Sequence, residues 1–335
     1  MKLNLTEKAK KVAFEIAKES EKGTVYKKLI PVEEAFIVLI SDVEYKDLDN
    51  LCRRIQEKNI EKKELYLTLE ECYKLTQGKK DEISTINKDK LSDYKSIIWM
   101  CANDCLNNNM YLGTNTINEG KINTSSWISH SIYESIAMKK LASMTKNNPG
   151  IAEVLGLLHD IGRKQIHDFT HTVKGFEELI EKGYKYEAVG TLTHSFINGG
   201  RCANCDLPEE GFYINKEGKP SWKDENNKDD ITKYFLEIYK YSEYDLLLNI
   251  ADLMATDKKI VSCVERVKDI RTRKPAGSNE KYFLIENIKL QNKILELMDK
   301  NRQLENVELD INSKIDDINK EFKRVSEELT KNLII

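Results

Sequence analysis

Hydrophobic residues recur at helical intervals along much of the chain, beginning at its N-terminus. If residues 1–20 are helical, one face collects Leu5, Val12, Ala13, Ile16 and Ala17. Charged residues such as those in "EKAKK" occupy the other positions. This segment is therefore predicted to form an amphipathic helix.

The rest of the first 120 residues has a mixed pattern. Residues 44–76 and 92–106 are charged and indicate helices, whereas the polar residues 77–90 indicate a linker or loop. The apolar run "PVEEAFIVLI" at 31–40 fits either a buried strand or a short buried helix. We predict a mainly helical N-terminal region over residues 1–120, in which no motif indicates a role.

The central part of the chain, from Trp127 to about Arg273, reads as successive helices with short breaks. Residues 198–222 are rich in Gly, Pro and Asn and predict a loop or small excursion, and residues 274–280 form a second break. Only 5 prolines and 15 glycines occur in 335 residues, which disfavours an all-β architecture. The chain is predicted to be all-α, with its central domain over residues 121–276.

The C-terminal segment, residues 277–335, carries a different hydrophobic repeat. Apolar residues alternate spacings of three and four, which is the a/d pattern of a coiled coil. The residues of this seam are Leu290, Ile294, Leu297, Leu304, Ile311, Ile315, Ile318, Phe322, Val325 and Leu329. Three interpretations stay open: a long helix packed on its own domain, a homodimeric coiled coil through residues 290–329, and a helix that docks on another protein.

Composition limits the classes of partner. The formal net charge of −3 creates no overall field that would attract nucleic acid. The longest apolar run is too short to cross a bilayer, so no membrane partner is expected. The cysteine count of seven is odd and the N-terminus lacks the apolar core of a secretory signal, so a reducing cytoplasmic location is expected.

All five histidines lie within one short part of the chain, and this clustering points to a metal site. They are His130, His159, His167, His171 and His194. A single histidine is usually a satisfied core or surface residue, but imidazole is also the commonest nitrogen ligand of transition metals. Two of the histidines are directly followed by aspartates: Asp160 follows His159 at the end of the apolar run "VLGLL", and Asp168 follows His167.

Asp252 provides a second indication, because it lies in the apolar segment "LLLNIADLM". Burying a carboxylate without a partner costs several kcal/mol, so Asp252 requires a positively charged neighbour. A metal ion would provide the positive charge. A buried salt bridge would satisfy the carboxylate as well.

The order of these residues resembles that of the HD superfamily of metal-dependent phosphohydrolases. His130, the pair His159-Asp160 in "LLHDIGR" and Asp252 follow the family order, and "LLHDIGR" looks like the signature of the HDIG subgroup. "HTVKGFEEL" with His171 and "LTHSF" with His194 continue the resemblance. It covers residues 127 to 274 and implies an HD-domain helical bundle.

The resemblance also implies the ligands of the metal. In the family pattern, four residues hold a first divalent ion: His130, His159, Asp160 and Asp252. Asp160 would bridge to a second ion held by His171 and His194, so two ions are expected. His167 could replace His171 or support the site from its edge. Mixed imidazole and carboxylate ligands suit Mn, Fe, Zn, Ni or Co without selecting among them.

The implied reaction is hydrolysis of a phosphoester or phosphoanhydride, in a small phosphorylated substrate such as a nucleotide. The metal lowers the pKa of its water, and Asp160 takes part in the chemistry as the bridging ligand. Arg163 and Lys164 follow the dyad and could stabilise the developing charge on phosphate, although a helix end can also leave such residues in solvent. A further basic strip comprises Arg266, Arg271 and Arg273, and it could either hold distal phosphates or form a solvated face.

Two other readings stay open. The fold could be a catalytically weak nucleotide sensor or scaffold that acts through its coiled coil, or a hydrolase whose substrate is RNA or a cyclic dinucleotide. The cysteines could also form a separate zinc site, since two pairs have suitable spacing. These pairs are Cys101 with Cys105 and Cys202 with Cys205.

Overall fold

The structure is a computed structural model, and it describes a little over half of the chain. The described ranges are residues 5–28, 126–166, 170–197, 201–202, 212–214, 220–222, 238–257, 259–273, 280–301 and 309–333. Within these ranges helices predominate and the strands are only two or three residues long, so the predicted all-α class is confirmed. The elements predicted at 31–40, 44–76, 77–90 and 92–106 lie outside the described residues.

The N-terminal amphipathic helix is present as α1, Glu7–Ser20. The side chain of Thr6 caps it by accepting a hydrogen bond from the backbone N–H of Ala9. Its apolar face buries Ala13 and Ile16, as the hydrophobic spacing predicts. A short 3-10 turn, Tyr26–Lys28, follows it.

Helix α1 and the 3-10 turn pack against the central helices. The backbone N–H of Thr6 donates a 2.8 Å hydrogen bond to Glu177, and that of Lys240 donates a 2.9 Å bond to the hydroxyl of Ser20. Tyr26 is 4% exposed and belongs to the same hydrophobic core. Residues 5–28 therefore share a core with the central helices, while the domain boundary at residue 120 stays a prediction.

Two helices that pack along each other form the centre of the fold. Helix α2 spans Ser126–Met144 and packs along α3, Pro149–Leu158. The side chain of Asn148 caps α3 and Pro149 occupies its first turn, where a missing N–H costs nothing. Nearly every residue of α3 is buried, which explains its continuous apolar sequence. This helix delivers His159 and Asp160 into the protein interior.

The remaining central helices surround this pair. A 3-10 turn, Ile161–Lys164, leads to α4, His171–Glu181, and α5, Ala188–Thr193. Two short antiparallel pairs lie at the predicted excursion at 198–222, and the first strand of the first pair immediately precedes it. Their strands are β1 Phe196–Ile197, β2 Arg201–Cys202, β3 Phe212–Ile214 and β4 Pro220–Trp222. Helices α6, Glu243–Asp252, and α7, Cys263–Arg273, follow.

The C-terminal segment, residues 277–335, contains two helices instead of one long helix. It forms α8, Glu280–Met298, and α9, Ile315–Leu333, and neither 299–301 nor 309–314 is helical. The two helices pack against each other, and Ser326 donates a buried 2.7 Å hydrogen bond to Gln291 between them. The apolar residues of the coiled-coil repeat therefore pack largely within the chain, because an intramolecular helix pair needs the same spacing. The homodimer through residues 290–329 stays a prediction.

None of the helices in the described ranges is both long enough and apolar enough to cross a membrane.

Candidate metal centre

His159 follows the C-terminal end of α3 and His194 follows that of α5, and each ring places Nδ1 near a carbonyl oxygen of its own helix. His159 Nδ1 lies 2.7 Å from the carbonyl oxygen of Gly156, and His194 Nδ1 lies 3.2 Å from that of Gly190. Because a carbonyl oxygen only accepts hydrogen bonds, Nδ1 carries the proton in both rings. Nε2 of each ring is therefore the nitrogen available as a ligand, an arrangement typical of metal-binding histidines.

Helix α2 contributes two residues, one turn apart. His130 Nε2 lies 3.4 Å from Oε2 of Glu134 on the same helix and 3.0 Å from Oδ1 of Asp252 at the end of α6. His159 Nε2 lies 2.9 Å from the same Glu134 oxygen. Three helices thus bring two imidazoles and two carboxylates to one point.

Asp160 lies on the other side of His159. Its Oδ1 is 3.0 Å from His171 Nε2 and 3.5 Å from His194 Nε2, and these two imidazole nitrogens are 3.2 Å apart. The other carboxylate oxygen, Oδ2, accepts a hydrogen bond from Nε of Arg163. Arg163 therefore holds the carboxylate of Asp160 in its orientation, a contact that the sequence reading did not predict for this residue.

The donor atoms form two overlapping groups that could each hold a cation, since within each group they lie within 4.8 Å of one another. The first group is His130, Glu134, His159 and Asp252, and the second is His159, Asp160 and His194. The ligand sets implied by the family resemblance place Asp160 where the first group has Glu134. They also place His171 where the second group has His159.

The residues of the site are strongly desolvated. Glu134 and His159 are completely buried, and Asp160, His171 and His194 are 2% exposed. His130 is 7% exposed, and the side chain of Asp252 is 14% exposed. Charges are therefore screened weakly by solvent, and any unbalanced charge is costly.

The electrostatics favour the addition of positive charge to the first group. Burial raises the pKa of Glu134 to about 8, despite the opposing attraction of His159. Burial lowers the pKa of His159, but attraction by Glu134 and Asp160 outweighs this and holds that pKa above its usual value. The cluster thus stabilises a cation at this point, either a proton or a metal ion that replaces it.

Asp160 and Asp252 are held in their charged forms. Burial alone would raise the pKa of each carboxyl group. Arg163 and neighbouring imidazoles outweigh this effect at Asp160, and the hydrogen bond from His130 outweighs it at Asp252, so both pKa values lie below their usual range. Burial and the charge of Arg163 lower the pKa of His171 to about 4, which keeps that ring neutral and able to bind a metal.

Several buried donor atoms have no hydrogen-bonding partner of acceptable geometry among the described residues, although other site atoms lie close. They are both carboxylate oxygens of Glu134, Nε2 of His159 and Oδ1 of Asp160. Leaving buried polar atoms unsatisfied costs about 1–3 kcal/mol each. Glu134 Oε2 and His159 Nε2 lie 2.9 Å apart, a distance that suits an ion pair between them and equally suits two ligands of one cation. The residues present therefore fit a divalent metal ion.

The six predicted metal ligands all meet in this site, whereas the accompanying predictions have mixed outcomes. The side chain of Lys164 and the whole of His167 lie outside the described residues. So do Cys101, Cys105 and Cys205, together with the side chain of Cys202, so the proposed second zinc site stays a prediction.

The three arginines of α7 have different environments. Arg271 pairs with Glu280 and donates to Asn319, and Arg273 pairs with Asp269 in a largely exposed position. Arg266 is the most buried of the three, at 14% side-chain exposure, and its Nε has no hydrogen-bonding partner among the described residues. Burial is the main cause that lowers the pKa of His130, and the charge of Arg266 adds to it, which places this guanidinium within electrostatic range of the site.

Glu134 is the site residue that sequence reasoning missed. Its spacing of four residues from His130 placed both on one face of a predicted helix, which was a usable signal. Polar and apolar residues are distributed around α2 with little asymmetry, however, so nothing in the pattern marked this face as buried.

A scan against protein-family models and searches of curated proteins and solved structures found no significant match to the chain.

Proposed function

We propose that the chain is a metal-dependent phosphohydrolase of the HD type, which cleaves a phosphoester or phosphoanhydride bond of a nucleotide by means of an activated water. The observation that supports this best is the convergence of six residues in a buried site. These residues are His130, His159, Asp160, His171, His194 and Asp252. Their order along the chain resembles the HD pattern, and their donor atoms suit a divalent transition metal.

The chain's own residues prepare the site for hydrolysis. A divalent cation held there would supply a nucleophile at neutral pH by lowering the pKa of a coordinated water. The carbonyl groups of Gly156 and Gly190 fix the rings of His159 and His194 with Nε2 pointing into the site. Arg163 orients Asp160, which in this proposal is the carboxylate shared between two ions.

Arg266 is the residue that we assign to the substrate phosphate. Asp269 orients its guanidinium through a 3.0 Å ion pair with Nη1, while Nε has no hydrogen-bonding partner in the part of the chain that the structure describes. A buried guanidinium with an unused donor beside a metal site suits an anionic phosphate oxygen. Arg271 and Arg273 are engaged by other residues of the chain and are not assigned to this role.

The test is a hydrolysis assay of the full chain against nucleoside mono-, di- and triphosphates with added Mn²⁺. We expect phosphate release by the wild type and a loss of about a hundredfold or more for Asp160→Asn, because the variant removes a ligand that Arg163 has positioned. Asp317→Asn, an exposed position on α9, is the matched control and should retain full activity. Far-UV circular dichroism would establish that both variants are folded.

Two results would contradict hydrolysis. Undiminished turnover by folded Asp160→Asn would remove Asp160 from the chemistry. Tight nucleotide binding without any product would instead favour the alternative function, a nucleotide sensor or scaffold.

A further inference from the structure

We propose that Glu134 is a direct ligand of the ion held by His130, His159 and Asp252, and that it biases this position toward Mn²⁺ or Fe²⁺ over Zn²⁺. This inference rests on the proposed function, because it assumes that the site binds a metal. It adds a ligand that the HD resemblance does not assign.

The first argument is that Glu134 has no ammonium or guanidinium partner among the described residues. It is completely buried, and neither of its carboxylate oxygens has a hydrogen bond of acceptable geometry within the described ranges. Its ion-pair contacts among the described residues are with His130 and His159 alone. Glu153 on α3 offers a direct contrast, because it is equally buried but lies 3.4 Å from the ammonium group of Lys139. A buried carboxylate without such a cation is stabilised by a proton or by a metal ion that replaces it.

The second argument is the spacing of the donor atoms. Ligand atoms about 2.1 Å from a common ion lie roughly 3.0–3.4 Å from one another at the usual bond angles. Glu134 Oε2 lies 2.9 Å from His159 Nε2 and 3.4 Å from His130 Nε2. His130 Nε2 lies 3.0 Å from Asp252 Oδ1. These distances fit four donors around a single ion, with Glu134 as one of them.

The third argument concerns the choice of metal. With Glu134, the first group contains two imidazoles and two carboxylates, and the carboxylate of Asp160 lies 3.5 Å from His159 Nε2. Oxygen-rich sets that can exceed four ligands suit Mn²⁺ and Fe²⁺, whereas Zn²⁺ is usually tetrahedral in protein sites. A ligand that raises the coordination number therefore contributes more to Mn²⁺ affinity than to Zn²⁺ affinity.

The experiment compares the full-length wild type with Glu134→Gln and with the matched control Glu153→Gln. Glutamine preserves the shape of each buried side chain and removes its charge. Affinities for Mn²⁺ and Zn²⁺ would be measured by competition against a chromophoric chelator, and each protein would be loaded with Co²⁺ for visible absorption spectroscopy. Intense Co²⁺ absorption indicates four ligands, and weak absorption indicates five or six.

We expect the wild type to bind Co²⁺ with weak absorption. Glu134→Gln should lose at least about tenfold in Mn²⁺ affinity, with a smaller loss for Zn²⁺ and a more intense Co²⁺ spectrum. Glu153→Gln should behave as the wild type. If Glu134 had only a structural role, Glu134→Gln would lose affinity for all of these ions equally, and its Co²⁺ spectrum would match that of the wild type.

Different results would overturn the two proposals separately. If the wild type binds metal but Glu134→Gln has an unaltered preference and spectrum, Glu134 is not a ligand and the hydrolase proposal stands. Intense four-ligand absorption from the Co²⁺-loaded wild type would overturn the proposed bias toward Mn²⁺ or Fe²⁺, even if Glu134→Gln failed to fold. A wild type that binds none of these ions would overturn the proposed function itself.

Discussion

The hydroxyl group of Tyr26 donates a 2.6 Å hydrogen bond to Oδ1 of Asp245, a carboxylate 219 positions later in the chain. Tyr239 donates to the other oxygen at 2.9 Å, and Ser242 contributes both its N–H and its hydroxyl. A completely buried carboxylate is thereby satisfied at the start of α6, the helix that ends at Asp252. The N-terminal segment thus helps to fix a helix of the metal site.

Loss of this hydroxyl group should destabilise the protein. Tyr26→Phe leaves Asp245 short of one buried donor, and we expect the free energy of unfolding to fall by about 1–3 kcal/mol in urea denaturation. Tyr244→Phe is the control, because the hydroxyl of Tyr244 accepts a bond from the partly exposed N–H of Asn148 and its loss should cost less. Equal stability of Tyr26→Phe and the wild type would contradict this account.

The pKa of Glu153 predicts a pH dependence of stability away from the metal site. Burial raises this pKa to about 7, although attraction by Lys139 opposes the rise. The folded state therefore holds a proton that the unfolded state releases above about pH 4.5, and stability falls as the pH rises from there to 7.

Glu153→Gln should remove this contribution. Its unfolding free energy should decline less than that of the wild type between pH 5 and pH 8, by about 2–3 kcal/mol at 1.4 kcal/mol for each unit of pKa. Urea denaturation at several pH values measures the difference. Parallel pH profiles for the two proteins would show that Glu153 is not the responsible group.

Gly162 should tolerate no side chain. A Cβ at this position would lie 2.0 Å from the carbonyl oxygen of His171 and 2.5 Å from the N of Gly175, and backbone atoms cannot move aside cheaply. We expect Gly162→Ala to lose several kcal/mol of stability, as overpacking at a rigid contact does.

Gly183→Ala provides the comparison for this variant. Gly183 has a φ of +87° but open space around it, so alanine there should cost only about 1–2 kcal/mol of backbone strain. Thermal unfolding of both variants gives the ranking. A Gly162→Ala protein at least as stable as Gly183→Ala would refute the close approach.

Arg266 and Arg273 provide a matched pair on one helix, since both form ion pairs with Asp269. Arg266→Gln should raise the KM for a nucleotide at least tenfold, because it removes the partly buried guanidinium beside the site. Arg273→Gln makes the same change of charge at a side chain that is 46% exposed, and its steady-state kinetics should be unaltered. Equal increases in KM for the two variants would indicate that the positive charge of α7 attracts the nucleotide only at long range, without a direct contact from Arg266.

Substitution of Phe322 can show whether the C-terminal apolar seam packs within one chain or joins two chains. It is 3% exposed, and Phe322→Ala should lower the unfolding free energy by about 3–5 kcal/mol. Phe14→Ala should change it by less than about 0.5 kcal/mol, because Phe14 is 43% exposed. Light scattering after size exclusion would report the association state. A wild-type dimer that Phe322→Ala converts to equally stable monomers would show that the seam joins two chains.

The sequence predicted the central helices and brought six site residues to attention because local periodicity and residue order carry that information. The C-terminal repeat could not distinguish an intramolecular helix pair from a coiled coil, since both bury the same apolar spacing. The bond between Tyr26 and Asp245 left no trace in any local pattern. Glu134 shared a helix face with His130, but its approach to His159 on another helix is a property of the folded chain alone.

His159 belongs to both donor groups, and this sharing has a thermodynamic consequence. Its Nδ1 is committed to the carbonyl oxygen of Gly156, so only one lone pair, on Nε2, remains for coordination. Two cations would compete for that lone pair, and occupation of one group would weaken the other. If both groups held an ion at once, we would expect unequal occupancy, with one ion bound tightly and a second that binds and leaves more readily.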